Sequence, residues 1–251
     1  MNEAIEALMQ VPVPDIGFPT MLVGGAVRDA LLGVKSKDLD FSVEAPSFEA
    51  MIVHATEVCG DPFVVTPETF TARFKNPVKG GPALDFVLAR KDGPSSDNRR
   101  PDFVEAGTFE DDMMRRDFTV NAMGLDLKTG DIFDPTGGMR DLERMCLRFV
   151  GNPMDRINED ALRIVRAWRF EIVKGFTPDG DTEEACMSPE GAELLRTLPV
   201  ERIRPELEKM LQADTLASLR LFTQMPDVTR SAMFRNGLRL SATSKAKAIN
   251  E

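Results

Sequence analysis

Short apolar runs bounded by Gly, Pro, Asn or Asp dominate the chain as far as about residue 150, and helical spacing takes over afterwards. Leu22-Val23 ahead of Gly24-Gly25, Asp38 to Val43, Phe63–Thr66, Phe70–Phe74 and Ala83–Ala89 each have the length and β-branched or aromatic content of a strand. Leu125–Leu127 and Ile132–Phe133, joined through Lys128-Thr129-Gly130-Asp131, read as a hairpin, and Leu147–Val150 as one more strand. Among these runs lie three helix signals. Met1–Gln10 places Ile5, Leu8 and Met9 on one side before Pro12 and Pro14 end it. Ala26–Leu32 follows the Gly pair, and Ser47 caps a segment to about Val58 that Gly60-Asp61-Pro62 stops. Lys91 to Glu110 has the Gly, Pro, Ser, Asp and Asn content of a surface loop. From Asp155, the residues Ile157, Ala161, Ile164, Trp168 and Ile172 recur at three and four as a core-facing stripe. Helices are expected at about Thr182–Thr197, Val200–Gln212 and Asp214–Gln224. The pattern predicts an α+β head over residues 1–150 with a small mixed sheet flanked by helices, an all-helical neck over 151–240, and a disordered polar tail over 241–251.

Composition narrows the chemistry. A chain of 251 residues can bury a real core, and its net charge of −10 opposes wholesale coating of nucleic acid, so phosphate-binding cations must be local. Arg99-Arg100, Arg115-Arg116 and the series Arg163, Arg166, Arg169 are such places. The three cysteines, Cys59, Cys146 and Cys186, are far apart and odd in number, and His54 is the only histidine. That excludes zinc-ligand spacing and His-dependent nucleophilic mechanisms, and fits reduced thiols in the cytoplasm. No apolar run approaches the roughly 18 residues of a membrane span and no signal peptide is seen, so a soluble protein is expected.

Asp38 and Asp40, two apart in a strand, would share one face. Their mutual repulsion calls for a cation, and hard oxygen ligands point to Mg²⁺ shared with substrate phosphates. Gly24-Gly25, leading from strand to helix, aims backbone N–H groups at an anion, with Arg28 one turn in as a guanidinium fork. Alone, either motif also fits a solvated turn. Asp85 lies inside an apolar strand. Beside Asp38–Val43 it would face the metal, either completing its coordination or taking the proton of an attacking hydroxyl; at an edge it would face solvent.

Together, Gly-Gly-Ala-Val-Arg-Asp and Asp-Leu-Asp resemble motif A of the class II tRNA nucleotidyltransferase and bacterial poly(A) polymerase family, within the polymerase-β superfamily. Asp111 to Met123, with Arg115-Arg116-Asp117-Phe118-Thr119-Val120-Asn121-Ala122, is similar to motif B. There Arg116 would meet phosphate and Asp117 and Asn121 would take ribose hydroxyls; a solvated charge cluster is the plainer account. Asp134 to Leu142 resembles motif C, its Gly pair acting as a hinge without chemistry. Glu159-Asp160-Ala161-Leu162-Arg163-Ile164-Val165-Arg166 looks like motif D, and Pro199 to Leu207 like the motif E helix that braces it. The resemblance implies a polymerase-β-like head, a third carboxylate at Asp85 followed by Arg90, and a mobile loop over the site at Lys91–Glu110.

Glu159, Asp160, Arg163, Arg166 and Arg169 also fit ordinary surface pairing along a helix. The sharper reading is that Asp160 and Arg163 present an acceptor beside a donor fork. Cytosine and adenine each offer an exocyclic amine beside an unprotonated ring nitrogen, whereas uracil and guanine offer a carbonyl beside an N–H, so the pair matches C and A. The implied reaction is attack of an RNA 3′-hydroxyl on the α-phosphate of CTP or ATP: CCA addition to tRNA first, poly(A) or partial CC- or A-addition second, an inactive nucleotide- or RNA-binding remnant third. Family members continue beyond motif E as body and tail domains that grip tRNA. The short remainder here implies a minimal enzyme, a homodimer that completes the surface, or another RNA.

Overall fold

In the computed structural model the described residues are 3–34, 36, 39–93, 104–235 and 238. They form two compact units, the first ending at Leu142 and the second beginning at Glu143.

The first unit opens with α1 (Glu3–Met9), β1 (Thr20–Val23), α2 (Gly25–Leu31), β2 (Asp40–Val43) and α3 (Phe48–Cys59). Ser47 caps α3 by accepting from the Ala50 N–H at 3.1 Å, and Gly60 ends it at φ 76°. Then come β3 (Val64–Thr66), β4 (Thr71–Phe74), β5 (Leu84–Leu88), β6 (Arg90–Asp92), β7 (Val104–Ala106), α4 (Phe109–Met114), a 3₁₀ turn at Thr119–Asn121, β8 (Gly124–Leu125), β9 (Ile132–Phe133) and α5 (Gly138–Glu143). Seven strands make one mixed sheet in the order β3-β4-β5-β2-β1-β8-β9. Only β2 and β5 within it pair in parallel, and the chain between them returns through α3, β3 and β4.

Register sorts the two faces. Leu22 pairs with Phe41, Phe41 with Phe86, and Phe86 with Ala72, so these residues share a face, which carries the aromatic core. The Phe86 ring lies 5.9 Å from Phe41 and 5.7 Å from Phe74, contacts worth about 1 kcal/mol each beyond burial. One residue along, Val23 pairs with Asp40, Asp40 with Asp85, and Asp85 with Arg73. This charged row must therefore lie on the opposite face.

The second unit contains β10 (Cys146–Leu147), α6 (Pro153–Glu159), α7 (Leu162–Lys174), β11 (Thr177–Pro178), α8 (Gly180–Met187), α9 (Pro189–Thr197), α10 (Val200–Ala213), α11 (Thr215–Gln224) and α12 (Asp227–Met233). Side chains of Asn152, Asp179, Ser188 and Asp214 cap α6, α8, α9 and α11. Ile157, Ala161, Ile164 and Trp168 are buried, and α7 packs on α10.

Several expectations need correction. The stretch Lys91–Glu110 is not loop throughout. Its ends pair as β6 and β7, with Lys91 opposite Glu105, and α4 begins at Phe109, where Thr108 and Asp111 form a reciprocal capping box. Residues 94–103 lie outside the described residues. The strand expected at Leu147–Val150 is instead Cys146–Leu147, in parallel with Thr177–Pro178. The helix expected from Asp155 is two, broken at Asp160 in extended backbone. Pro189 likewise splits Thr182–Thr197, because Ser188 before it is extended. The helix α12 was not foreseen, and the tail 241–251 lies outside the described residues.

Gly138 opens α5 against the 3₁₀ turn, where an added Cβ would lie 2.1 Å from the Thr119 carbonyl oxygen. Backbone cannot yield there as a side chain can. Gly138→Ala should therefore cost about 3 kcal/mol in urea denaturation; an unchanged midpoint would show that the contact relaxes freely.

Candidate active site

Gly24 takes φ 74°, a conformation that strains other residues, and donates its N–H to the Met123 carbonyl at 3.1 Å. A Cβ at Gly24 would stand 2.7 Å from Arg116 Nη1, so the bare backbone lets the motif B arginine approach. Beyond the turn, the first N–H groups of α2 have no acceptor within the helix. Arg28, the expected phosphate fork, engages two neighbouring side chains. Its side chain is 8% exposed, Nε and Nη2 donate to Asp29 Oδ1 at 2.8 and 2.7 Å, and Nη1 donates to Asn121 Oδ1 at 2.5 Å. The guanidinium thus ties the Gly-Gly turn to motif B.

Motif B is a connected network. Asp117 Oδ1 accepts from the Phe118 N–H at 2.8 Å and from Asn121 Nδ2 at 3.0 Å. Arg116 Nη1 donates to the Asn121 carbonyl at 3.3 Å, and its Nη2 donates to Asp112 Oδ2 at 2.8 Å. Arg115 donates to the other oxygen of Asp112. Asp112 has no solvent exposure. Burial alone would push its carboxyl up, but Arg116 and Arg115 together outweigh that and hold it below the ordinary range. Thr119 Oγ1 donates to Asp141 Oδ2 at 2.6 Å, joining the turn to α5. The structure therefore brings Gly24, Gly25, Arg28, Arg116, Asp117 and Asn121 together.

On the charged face, Asp40 is exposed and Asp85 is 5% exposed, which corrects the edge-strand alternative for Asp85. As register partners on neighbouring strands they stand about 5 Å apart at Cα. Ser42, two residues beyond Asp40 on the same face, has a fully buried hydroxyl without a hydrogen-bond partner. Arg73 makes a bidentate ion pair with Asp85, Nε to Oδ1 and Nη2 to Oδ2. Asp38 lies outside the described residues, and among these no group of three metal-ligating side chains occurs. The two carboxylates at hand are the hard oxygen donors that suit a divalent cation of the Mg²⁺ kind. A cavity of about 720 Å³ elsewhere in this unit, lined by Pro12, Leu22, Phe41 and Lys128 among others, includes none of the predicted site residues.

In the second unit the motif D residues are held by their own neighbours. Glu159 bridges Arg156 and Arg163, with Arg163 Nη1 at 2.7 Å. Asp160 Oδ1 accepts from the Leu162 N–H at 3.0 Å, and Oδ2 pairs with Arg202 at 2.8 Å. Asp160 and Arg163 are thus not neighbours on one uninterrupted helix: Asp160 sits at the break and starts α7. Arg166 is half-buried, and Arg169 pairs with Glu206 on α10 while lying 4.8 Å from the Phe170 ring centre. Arg202 and Glu206 make α10 the brace of the motif D segment. Cys186 is buried, and desolvation pushes its thiol up, which keeps it inert.

Some partners escaped sequence reasoning. Asp112 precedes Arg115 and Arg116 at three and four, a visible helical pairing. Arg73 alternates with Ala72 and Phe74 in its strand, which places it on the polar face. Arg202 and Glu206 lie in the stretch resembling the bracing motif E helix, but nothing in its pattern singles out these two.

Residues 20–148, just over half the chain, match the family model described as the poly A polymerase head domain. The chain belongs to this family. Over 200 residues it is 38% identical to the CCA-adding enzyme of Geobacillus thermodenitrificans, covering 78% of this chain and 46% of the relative. With the CCA-adding enzyme of Bacillus pumilus the identity is 33% over 237 residues, covering 86% and 54%. Among solved structures, the Bacillus stearothermophilus CCA-adding enzyme in complex with CTP superposes with a TM-score of 0.73 at 31% identity, covering 97% of this chain and 54% of that one. The Thermotoga maritima CCA-adding enzyme complexed with tRNA-CCA gives 0.69 at 30%, covering 88% and 53%. The chain spans about half the length of these relatives, and its fold is the α+β nucleotidyltransferase head with helices that the sequence predicted. No helix among the described residues is long and apolar enough to cross a membrane.

The Asp112 clamp predicts a pH dependence. Its folded pKa lies below the ordinary 3.8, so its stabilisation is complete above that value and is lost as pH falls through the lower folded value. Asp112→Asn should cost about 3 kcal/mol at neutral pH, because two guanidiniums lose their counter-charge. In urea denaturation series across pH, the variant should lack the part of the acid-side loss that this carboxyl contributes; identical wild-type and variant curves would remove the clamp.

Proposed function

We propose that this chain is a template-independent RNA nucleotidyltransferase that adds C and A to the 3′ end of tRNA from CTP and ATP. The observation that carries the reading is the cross-strand pairing of Asp40 with Asp85 beside the Gly24-Gly25 turn, in a chain similar over most of its length to CCA-adding enzymes. The RNA 3′-oxygen bonds to the α-phosphorus, the α–β anhydride bond breaks, and pyrophosphate leaves. Asp38 and Asp40 would hold Mg²⁺, and Asp85 beside them would complete its coordination or take the proton of the attacking hydroxyl. A bound Mg²⁺ supplies Lewis-acid stabilisation of the phosphoryl charge and lowers the pKa of the hydroxyl. The turn N–H groups and Arg116 meet the triphosphate, and Asp117 and Asn121 take the ribose. Arg28 acts through Asn121 by fixing the cradle. Asp160 and Arg163 read the base, with Arg166 and Arg169 setting their helix.

A second reading, poly(A) addition, is favoured by the name of the matching family model. Incubating the protein with Mg²⁺, labelled CTP and ATP, and tRNA ending before CCA separates the two. Two C and one A added in order support the first, and runs of A alone support the second. No incorporation refutes both.

Asp40→Ala should reduce transfer by at least about 10³-fold while CTP still binds in equilibrium dialysis; retained turnover removes the metal assignment. Asp160→Ala should narrow the preference for C and A over U and G by about tenfold or more, measured as kcat/KM for each triphosphate. An unchanged ratio overturns the base-reading role.

A further inference from the structure

Arg73, Asp85 and Asp40 occupy one row across three strands, a cation followed by two anions. The partners are unequally buried: the Asp85 side chain is 8% exposed and that of Arg73 is 43% exposed. The acid is therefore fixed by the sheet, whereas the guanidinium reaches water and can be displaced once a cation replaces it as the counter-charge. Both Asp85 oxygens are engaged, one by Nε and one by Nη2. A carboxylate keeps further lone pairs, but a guanidinium on both oxygens puts a positive charge beside any cation that would use them. Without a counter-charge, two carboxylates at paired positions would repel.

We propose that Arg73 is a positioning residue that holds the Asp85 carboxylate in place before the divalent cation arrives and competes with that cation for it. The inference rests on the reading of Asp40 and Asp85 as the metal-holding pair. Arg73 serves as a removable counter-ion: it offsets the Asp40–Asp85 repulsion in the metal-free protein and gives up Asp85 when the site loads. Metal affinity at this site is then set partly by an arginine that never touches the metal.

The test uses the full chain without nucleotide and titrates Mn²⁺, followed by the loss of its free electron paramagnetic resonance signal. Arg73→Ala should tighten Mn²⁺ binding by about fivefold, the scale of one half-exposed ion pair. Arg73→Lys, which keeps the charge but not the fork, should fall between wild type and Ala. In an Asp85→Asn background the Arg73→Ala effect should vanish, which a merely structural arginine would not produce. Circular dichroism establishes that each variant folds, and if Arg73→Ala does not, Arg73→Lys and Arg73→Met carry the comparison. Unchanged or weaker Mn²⁺ binding in the Arg73 variants, or an equal shift in the Asp85→Asn background, overturns the proposal. Absence of millimolar Mn²⁺ binding by wild type overturns both it and the metal-site reading. The expected shift without nucleotide transfer leaves Arg73 in its role and removes the transferase reading.

Discussion

Parallel pairing of two short strands in a single register sets everything else in the head unit. With Asp40 opposite Asp85, Phe41 falls opposite Phe86, so the charged row and the aromatic core are fixed by the same choice. A slip of one residue would drive a carboxylate into the rings and a ring into the charged row. The aromatic face enforces the register because its burial is worth several kcal/mol, and the acids inherit their placement from residues that do no chemistry.

That placement creates an electrostatic problem, and the unit answers it with guanidinium groups paired to particular partners. Arg73 meets Asp85, Arg28 meets Asp29 and Asn121, and Arg115 with Arg116 meets the buried Asp112. Burying an unpaired charge would cost several kcal/mol, whereas each of these has a partner that also aims it. Arg28 shows the consequence for function. Its guanidinium ties together two segments far apart in the chain.

Elements whose signals are local were legible from residues alone. The Ser47 cap, the Gly24 turn, the β8–β9 hairpin and the stripe Ile157, Ala161, Ile164, Trp168 follow from side-chain chemistry within a few positions. Asp85 was legible as an anomaly, since a carboxylate in an apolar strand demands a reason. The rest depended on pairing between distant segments. The β6–β7 ribbon looked like loop because its composition is polar and its partner strands are separated by residues 94–103. The break at Asp160 escaped because periodicity passes through it unbroken. The tie between Arg28 and Asn121 was not legible because nothing in a linear pattern shows that the two will sit side by side.

The break at Asp160 has an evolutionary consequence. One oxygen of its carboxylate starts α7 and the other holds Arg202 of α10, so a single side chain joins helix initiation to interhelical packing. Any lineage that replaces this side chain would lose both contacts at the same step. Replacement would therefore be expected to follow compensating changes at Arg202 or in the buried stripe, which makes the position slow to change on packing grounds alone.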